Sequence, residues 1–189
     1  PEGDTQATHY YIYRSYSYYG MSMVGTTADT FFTDRSVTNG RTYTYWVTAF
    51  YENNESDYSY SATATAGSVP LAPFNLYGSG SDEQAYIAWQ IPDDGGFSID
   101  YYNIYRSDYG GSYNLVGTSW QNYYNDHGLT NGVEYRYQVS AVNDLGEGPQ
   151  SESVAVTPMT TPSIIGGLRA YFDDARAYLV WDTPQEDGG

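Results

Sequence analysis

The sequence contains no cysteine and no lysine, and these two absences exclude several kinds of site. Without cysteine the chain has no disulfides, no thiolate metal ligands and no thiol nucleophile. Only seven arginines stand against 23 acidic residues, which gives a formal net charge of −16 at pH 7. Because nucleic acids and anionic membrane surfaces are bound through clustered cations, we expect neither as a partner.

Long apolar segments and a leader are also missing. No apolar run approaches the roughly 20 residues that span a bilayer, so we expect no membrane insertion. The sequence starts at Pro1, without Met or a signal peptide, and we therefore expect a processed chain or a segment. Tyr is abundant at 24 residues, with 20 Gly and 8 Pro, and no stretch has a helical composition. This composition is typical of short strands joined by tight turns.

Few residues are candidates for catalysis or for metal binding. His9 and His127 lack ligand spacing, and we interpret both as surface residues. Asp93-Asp94 and Glu186-Asp187 could contribute to a calcium site, since hard cations take several carboxylates. No D-x-D-x-D-G pattern with a distal Glu accompanies them, so acidic turns are the favoured interpretation. We expect a chain that is not an enzyme and that has no metal and no cofactor.

The strongest signal in the sequence is an internal repeat at a spacing of 92 residues. "YIYRS" at 11–15 aligns with "NIYRS" at 103–107. A unit of about 90 residues is too long for a solenoid repeat and has the size of a small domain. The same spacing relates Val24-Gly25-Thr26 to Val116-Gly117-Thr118, Asn39-Gly40 to Asn131-Gly132, Ala49 to Ala141, and Trp89 to Trp181.

Alternation of apolar and polar residues predicts seven short strands in the central copy. Their expected positions are 74–76, 85–89, 102–106, 113–118, 123–126, 133–143 and 153–157, with Ala85, Ile87, Trp89, Tyr135, Tyr137, Val139 and Ala141 facing inward. Strands of this length with turns every 8–12 residues predict an all-β sandwich.

These features resemble the fibronectin type III family over essentially the whole chain. The resemblance is carried by Trp89 and Trp181, each followed by a proline (Pro92, Pro184), by Tyr10-x-Ile12 and Tyr102-x-Ile104, and by the "Y-x-Y-x-V-x-A" runs at 43–49 and 135–141. It implies tandem seven-stranded sandwiches in which Tyr43 and Tyr135 are tyrosine-corner residues. It also implies a spacer or a binding module, since these are the usual roles of the family. The resemblance does not decide between them, because one fold hosts many functions.

The two copies differ on the outward side of the third and sixth strands. The first copy has Tyr11, Tyr13, Trp46 and Phe50 where the central copy has Asn103, Tyr105, Gln138 and Val142. Because the two strands are neighbours in one sheet, the sequence predicts an aromatic contact face in the first copy, with Tyr58 or Tyr60 beside it. A Tyr-rich solvated face is the alternative.

Only the central copy is predicted to be a complete domain. Residues 1–67 supply the last five strands of a first domain, residues 68–159 a complete domain, and residues 160–189 the first two strands of a third. The tail positions Leu168, Ala177, Leu179 and Trp181 match the strands that the first copy lacks. We expect the isolated tail to expose Leu168, Leu179 and Trp181. The core of the first copy, which would accept the missing strands, consists of Tyr10, Ile12, Tyr43, Tyr45 and Val47, and without those strands we expect all of these except Tyr10 to face water.

The missing and surplus strands are complementary, which leads to the functional hypothesis. The tail of one copy would complete the head of the next, or the 189 residues are one period of a covalent tandem array. Either version predicts a structural subunit of an extracellular filament whose partners are copies of itself. The alternatives are a cell-surface binding module for a protein or glycan, and an accessory spacer of a secreted polysaccharide-degrading enzyme.

Overall fold

The computed structural model describes residues 7–16, 20–108 and 110–189, and over these ranges the chain is all-β. The chain divides into two compact units, and each unit consists of two separate stretches of the sequence. The first unit is Pro1–Val69 together with Asp93–Ser98, and the second is Pro70–Pro92 together with Ile99–Gly189. The boundaries predicted from the repeat, after residues 67 and 159, remain predictions.

The first unit is built on one antiparallel sheet. Its strands are β1 (His9–Ser15), β2 (Ser22–Thr27), β3 (Thr42–Tyr51), β4 (Asn54–Glu55) and β5 (Ala62–Thr65). The order is β2-β1-β3-β4, and β5 pairs with the other half of β3. Alternation along β1 and β3 places Ile12 opposite Val47, so one face of the sheet is apolar.

The second unit contains a sandwich of two sheets. Its strands are β6 (Phe74–Ser81), β7 (Gln84–Gln90), β8 (Tyr101–Asp108), β9 (Asn114–Ser119), β10 (Tyr123–His127), β11 (Tyr135–Asn143), β12 (Gly146–Glu147) and β13 (Val154–Val156). One sheet has the order β10-β7-β6, and the other has the order β12-β11-β8-β9 with β13 on β11. The predicted β-sandwich is confirmed, and β12 is a short strand that the sequence pattern does not predict.

The core of this sandwich lies between β7 and the β8–β11 pair. Ile87, Ile104 and Val139 are completely buried, and Trp89 is 3% exposed. Ala85, Ile87 and Trp89 face this core from one sheet, as the alternation predicts. Burying each large apolar side chain stabilises the fold by roughly 1.5–3 kcal/mol. The buried cluster therefore gives this sandwich a hydrophobic core of its own.

The second unit ends in a separate hairpin, which we call the tail hairpin (residues 168–181). It consists of β14 (Arg169–Asp173) and β15 (Arg176–Val180), joined by a tight turn. Asp174 and Ala175 both have positive φ at this turn. Every residue of β14 and β15 is exposed, whereas β7, the strand equivalent to β15, buries Ala85, Ile87 and Trp89.

Candidate assembly and contact surfaces

A buried polar cluster stabilises the interior of the central sandwich. Arg106 Nη1 donates to Asp126 Oδ2 over 2.8 Å, and the Tyr137 hydroxyl donates to the same oxygen over 2.9 Å. Burial raises the pKa of Tyr137, and the neighbouring carboxylate raises it further. The phenol therefore stays a neutral donor, and Asp126 accepts hydrogen bonds from both strands β8 and β11.

The first unit repeats this polar cluster at the equivalent positions. Arg14 Nη1 donates to Asp34 Oδ2 over 2.7 Å, and the Tyr45 hydroxyl donates to it over 3.1 Å. Burial opposes ionisation of Asp34, but hydrogen bonds from Ser36, Tyr45 and Arg14 outweigh it and lower the pKa of the carboxyl. Sequence reasoning missed the cluster, although all three residue types recur at the spacing of 92.

Both predicted tyrosine corners are confirmed. The Thr38 N–H donates to the Tyr43 hydroxyl over 2.9 Å, and the Thr130 N–H donates to the Tyr135 hydroxyl over 3.0 Å. The turn before each tyrosine needs a left-handed residue, which Gly40 provides in the first copy with φ of +77°. The Asn-Gly turn is therefore explained by backbone geometry.

The inner face of the first unit is open. Two adjoining grooves, of about 200 and 490 Å³, run along it. Val47 lines both grooves and is 37% exposed. All five predicted acceptor residues line one groove or both: Tyr10, Ile12, Tyr43, Tyr45 and Val47. We call this surface the open face.

The prediction that Ile12 and Tyr43 would face water is wrong, because both are only 4% exposed. The Phe32 ring covers the sheet beside Gly25, where a Cβ would overlap the ring. The Arg14 guanidinium lies 4.9 Å from the centroid of the Tyr43 ring. Side chains of the first unit therefore cover part of its core, and the rest of the open face stays accessible.

The tail hairpin exposes the apolar side chains that the sequence predicts. Leu179 is 51% exposed, whereas Ile87 at the equivalent position of the sandwich is completely buried. Trp181 is 55% exposed, against 3% for Trp89. Leu168 is 68% exposed and Ala177 is also exposed. These residues form an apolar stripe without a covering sheet.

The predicted contact residues Tyr11, Tyr13, Trp46 and Phe50 lie together on the outer face of the first unit, and each is half-buried. The Tyr11 and Phe50 rings meet edge to face, with centroids 5.8 Å apart. His9 packs on both, at 4.6 Å from Phe50 and 5.0 Å from Tyr11. The expectation of His9 as a simple surface residue overlooked this ring cluster. The contact role of the face remains a prediction.

Tyr13 has a structural role that both copies share. Its hydroxyl donates to Glu55 Oε1 over 2.8 Å, and Thr48 Oγ1 donates to the same oxygen over 2.6 Å. These hydrogen bonds lower the pKa of the Glu55 carboxyl, and the bond to Glu55 raises the pKa of Tyr13. In the central copy Tyr105 donates to Glu147 in the same way, over 2.6 Å. Tyr13 therefore does not distinguish the two copies.

The acidic turns are held by their own backbone. Asp93 and Asp94 each accept a hydrogen bond from a glycine N–H two residues on, over 2.9 and 2.8 Å. Asp187 does the same over 3.1 Å. Within residues 7–16, 20–108 and 110–189, no group of three or more His, Cys, Asp or Glu side chains is placed to hold a metal ion. No helix that could cross a membrane occurs in these ranges either.

Comparison with known proteins relates the chain to segments of polysaccharide-degrading enzymes. It is 31% identical over 205 residues to exoglucanase B of Cellulomonas fimi, and this alignment covers 98% of the chain and 18% of the enzyme. It is 31% identical over 113 residues to amylopullulanase of Thermoanaerobacterium saccharolyticum, covering 56% of the chain and 8% of the enzyme. The chain thus spans less than a fifth of the length of these relatives.

The fold is also found in solved structures. Domains A168–A170 of titin match 77% of the chain, and 53% of their own length is covered. The TM-score is 0.53 at 19% sequence identity, which shows a common fold alone. The family model of the fibronectin type III domain matches residues 71–157. The complete sandwich over these residues therefore belongs to the fibronectin type III family.

Proposed function

We propose that this chain is a non-catalytic spacer segment of an extracellular polysaccharide-degrading enzyme. The observation that carries the proposal is the similarity of 98% of the chain to a stretch that makes up 18% of exoglucanase B. A similarity confined to a small part of a long enzyme is expected of an accessory module. Sandwich domains hold their ends at a fixed separation, whereas an unstructured linker of equal length samples a broad range.

The spacer role is tested by placing the full chain between a catalytic domain and a carbohydrate-binding domain. The control carries a flexible Gly/Ser linker of the same 189 residues. We expect the control to hydrolyse insoluble polysaccharide several-fold more slowly, with unchanged activity on a soluble oligosaccharide. Equal rates on the insoluble substrate, or hydrolysis by the isolated chain, would contradict the proposal.

A filament subunit is the second candidate, and a specific observation favours it. The first unit has an apolar open face, and the tail hairpin has an apolar stripe of matching type. If the tail hairpin of one repeat covers the open face of the next, the repeats form an extended row of sandwiches. The row can be covalent or assembled from separate subunits. The net charge of −16 would keep such a row soluble through self-repulsion.

The aromatic outer face supports the third alternative, a module that binds a glycan or a protein. Trp46 is the side chain to remove, and the equivalent Gln138 of the central copy gives a matched control. We expect Trp46→Ala to lower affinity for insoluble glucan at least about tenfold, independently of salt, and Gln138→Ala to leave it unchanged. Binding that is absent in the unmodified chain, or equal in both variants, would exclude this role.

A further inference from the structure

We propose that the outer face of the β10-β7-β6 sheet binds an uncharged, extended β-linked glucan. We call this surface the uncharged face; it comprises the outward side chains of residues 77–81, 84–90 and 123–127. It belongs to the complete central sandwich, whose core covers the inner side of the same sheet. The inference goes beyond the spacer role, which needs no ligand. It also concerns a different surface from the aromatic outer face of the first unit.

Strand alternation places three tyrosines on the uncharged face. Ala85 and Ile87 are buried in the core, so Tyr86 between them points outward. Gly78 faces the interior, where a Cβ would overlap Val156, and Tyr77 beside it points outward as well. On β10 the side chain of Asp126 is directed inward to Tyr137, which leaves Tyr123 and Asn125 outside. The rings of Tyr77, Tyr86 and Tyr123 are all exposed.

The three rings form a row across the sheet with a low floor. Tyr77 and Tyr123 both lie opposite Ala88, one on each neighbouring strand. Two strand spacings separate them, which is roughly 10 Å. The Tyr86 ring stacks beside Tyr123, with centroids 5.9 Å apart and an interplanar angle of 29°. The row therefore offers aromatic surface over a length comparable to one disaccharide unit of an extended glycan chain.

The uncharged face is unusual in a chain with a formal net charge of −16. None of its outward positions carries Asp, Glu or Arg; besides the tyrosines they hold Ser, Gln, Asn, Ala and one His. The equivalent positions of the tail hairpin and the residue after it do carry charges, namely Arg169, Asp173, Arg176 and Asp182. The neutrality is thus a property of the central copy and is not imposed by the fold.

These side chains match the chemistry of a neutral β-linked glucan. Such a chain is flat, with apolar C–H faces that stack on aromatic rings and hydroxyl groups around its edge. The amides of Gln84 and Asn125 are exposed and can both donate to and accept from these hydroxyls. A protein partner fits less well, because Ala88 is the one aliphatic side chain on this face and the core of a protein interface is mostly apolar.

The test is calorimetric titration of the full chain with cellohexaose. We expect saturable binding with a Kd below about 1 mM. Because the ligand is neutral, the Kd should be the same in about 50 and 500 mM NaCl. Tyr86→Ala should weaken binding at least about tenfold, and Tyr86→Phe should preserve it because the ring remains. Tyr178→Ala is the matched control, since Tyr178 is the equivalent, exposed position of the tail hairpin, and it should leave the Kd unchanged.

Circular dichroism of each variant shows whether the sandwich is still folded. If Tyr86→Ala is not, Tyr77→Ala takes its place, because Tyr77 lies on an edge strand and is 60% exposed. Three outcomes would overturn the proposal: no saturable binding below about 1 mM, an equal loss in Tyr178→Ala, or self-association of the unmodified chain that Tyr86→Ala abolishes. None of them bears on the spacer role, which is measured by hydrolysis rates.

Discussion

Trp89→Ala is expected to lower the free energy of unfolding of the central sandwich by about 3–5 kcal/mol. The indole is 3% exposed and packs edge to face on Tyr102, with ring centroids 5.1 Å apart. Its removal leaves a cavity that the two sheets cannot close without shifting. Urea unfolding followed by far-UV circular dichroism measures the loss.

Trp181→Ala is the control for this prediction, because it changes the same position in the next copy. Trp181 is 55% exposed in the tail hairpin, so we expect a cost below about 0.5 kcal/mol in the monomer. Equal losses of stability from the two substitutions would show that the tail hairpin is packed in the monomer, against our account.

Asp126→Ala should destabilise the central sandwich by about 3–5 kcal/mol, because it leaves a partly buried charge without its partner. The Asp126 side chain is 8% exposed and accepts from both Arg106 and Tyr137. Without it, the guanidinium and the buried phenol lose an acceptor that water cannot easily replace. Chemical denaturation at neutral pH gives the difference in free energy of unfolding.

Asp108 offers a control on the same arginine. Arg106 Nε donates to Asp108 Oδ1 over 2.9 Å, but the Asp108 side chain is 51% exposed. We expect Asp108→Ala to cost less than about 1 kcal/mol, as is usual for ion pairs in contact with water. A cost for Asp126→Ala no larger than that for Asp108→Ala would refute the structural importance of the buried cluster.

The sandwich could be predicted because its signals are local and repeated. Alternation placed Ile87 and Trp89 on one face of a strand, and the resemblance to the fibronectin type III family implied both tyrosine corners, each just after an Asn-Gly turn. Strand ends were less accurate. The predicted strand at 133–143 begins at Tyr135, because Val133 N–H closes a turn on the Thr130 carbonyl over 3.3 Å. The strand pattern does not encode this hydrogen bond.

Long-range side-chain packing could not be predicted in the same way. The placement of Phe32 over the sheet of the first unit depends on how a strandless segment folds back, which no periodicity reports. His9 joins Tyr11 and Phe50 because β1 and β3 pair with His9 opposite Phe50. The register that joins these residues is a property of the sheet, and a lone histidine in the sequence gives no signal of it.

Hydrogen exchange tests most directly whether the central sandwich is the stable core of the chain. We predict that amides of Tyr123–His127, which pair with β7, exchange slowly, whereas amides of the exposed strand Arg176–Val180 exchange quickly. Exchange of the two segments at the same rate would contradict the account.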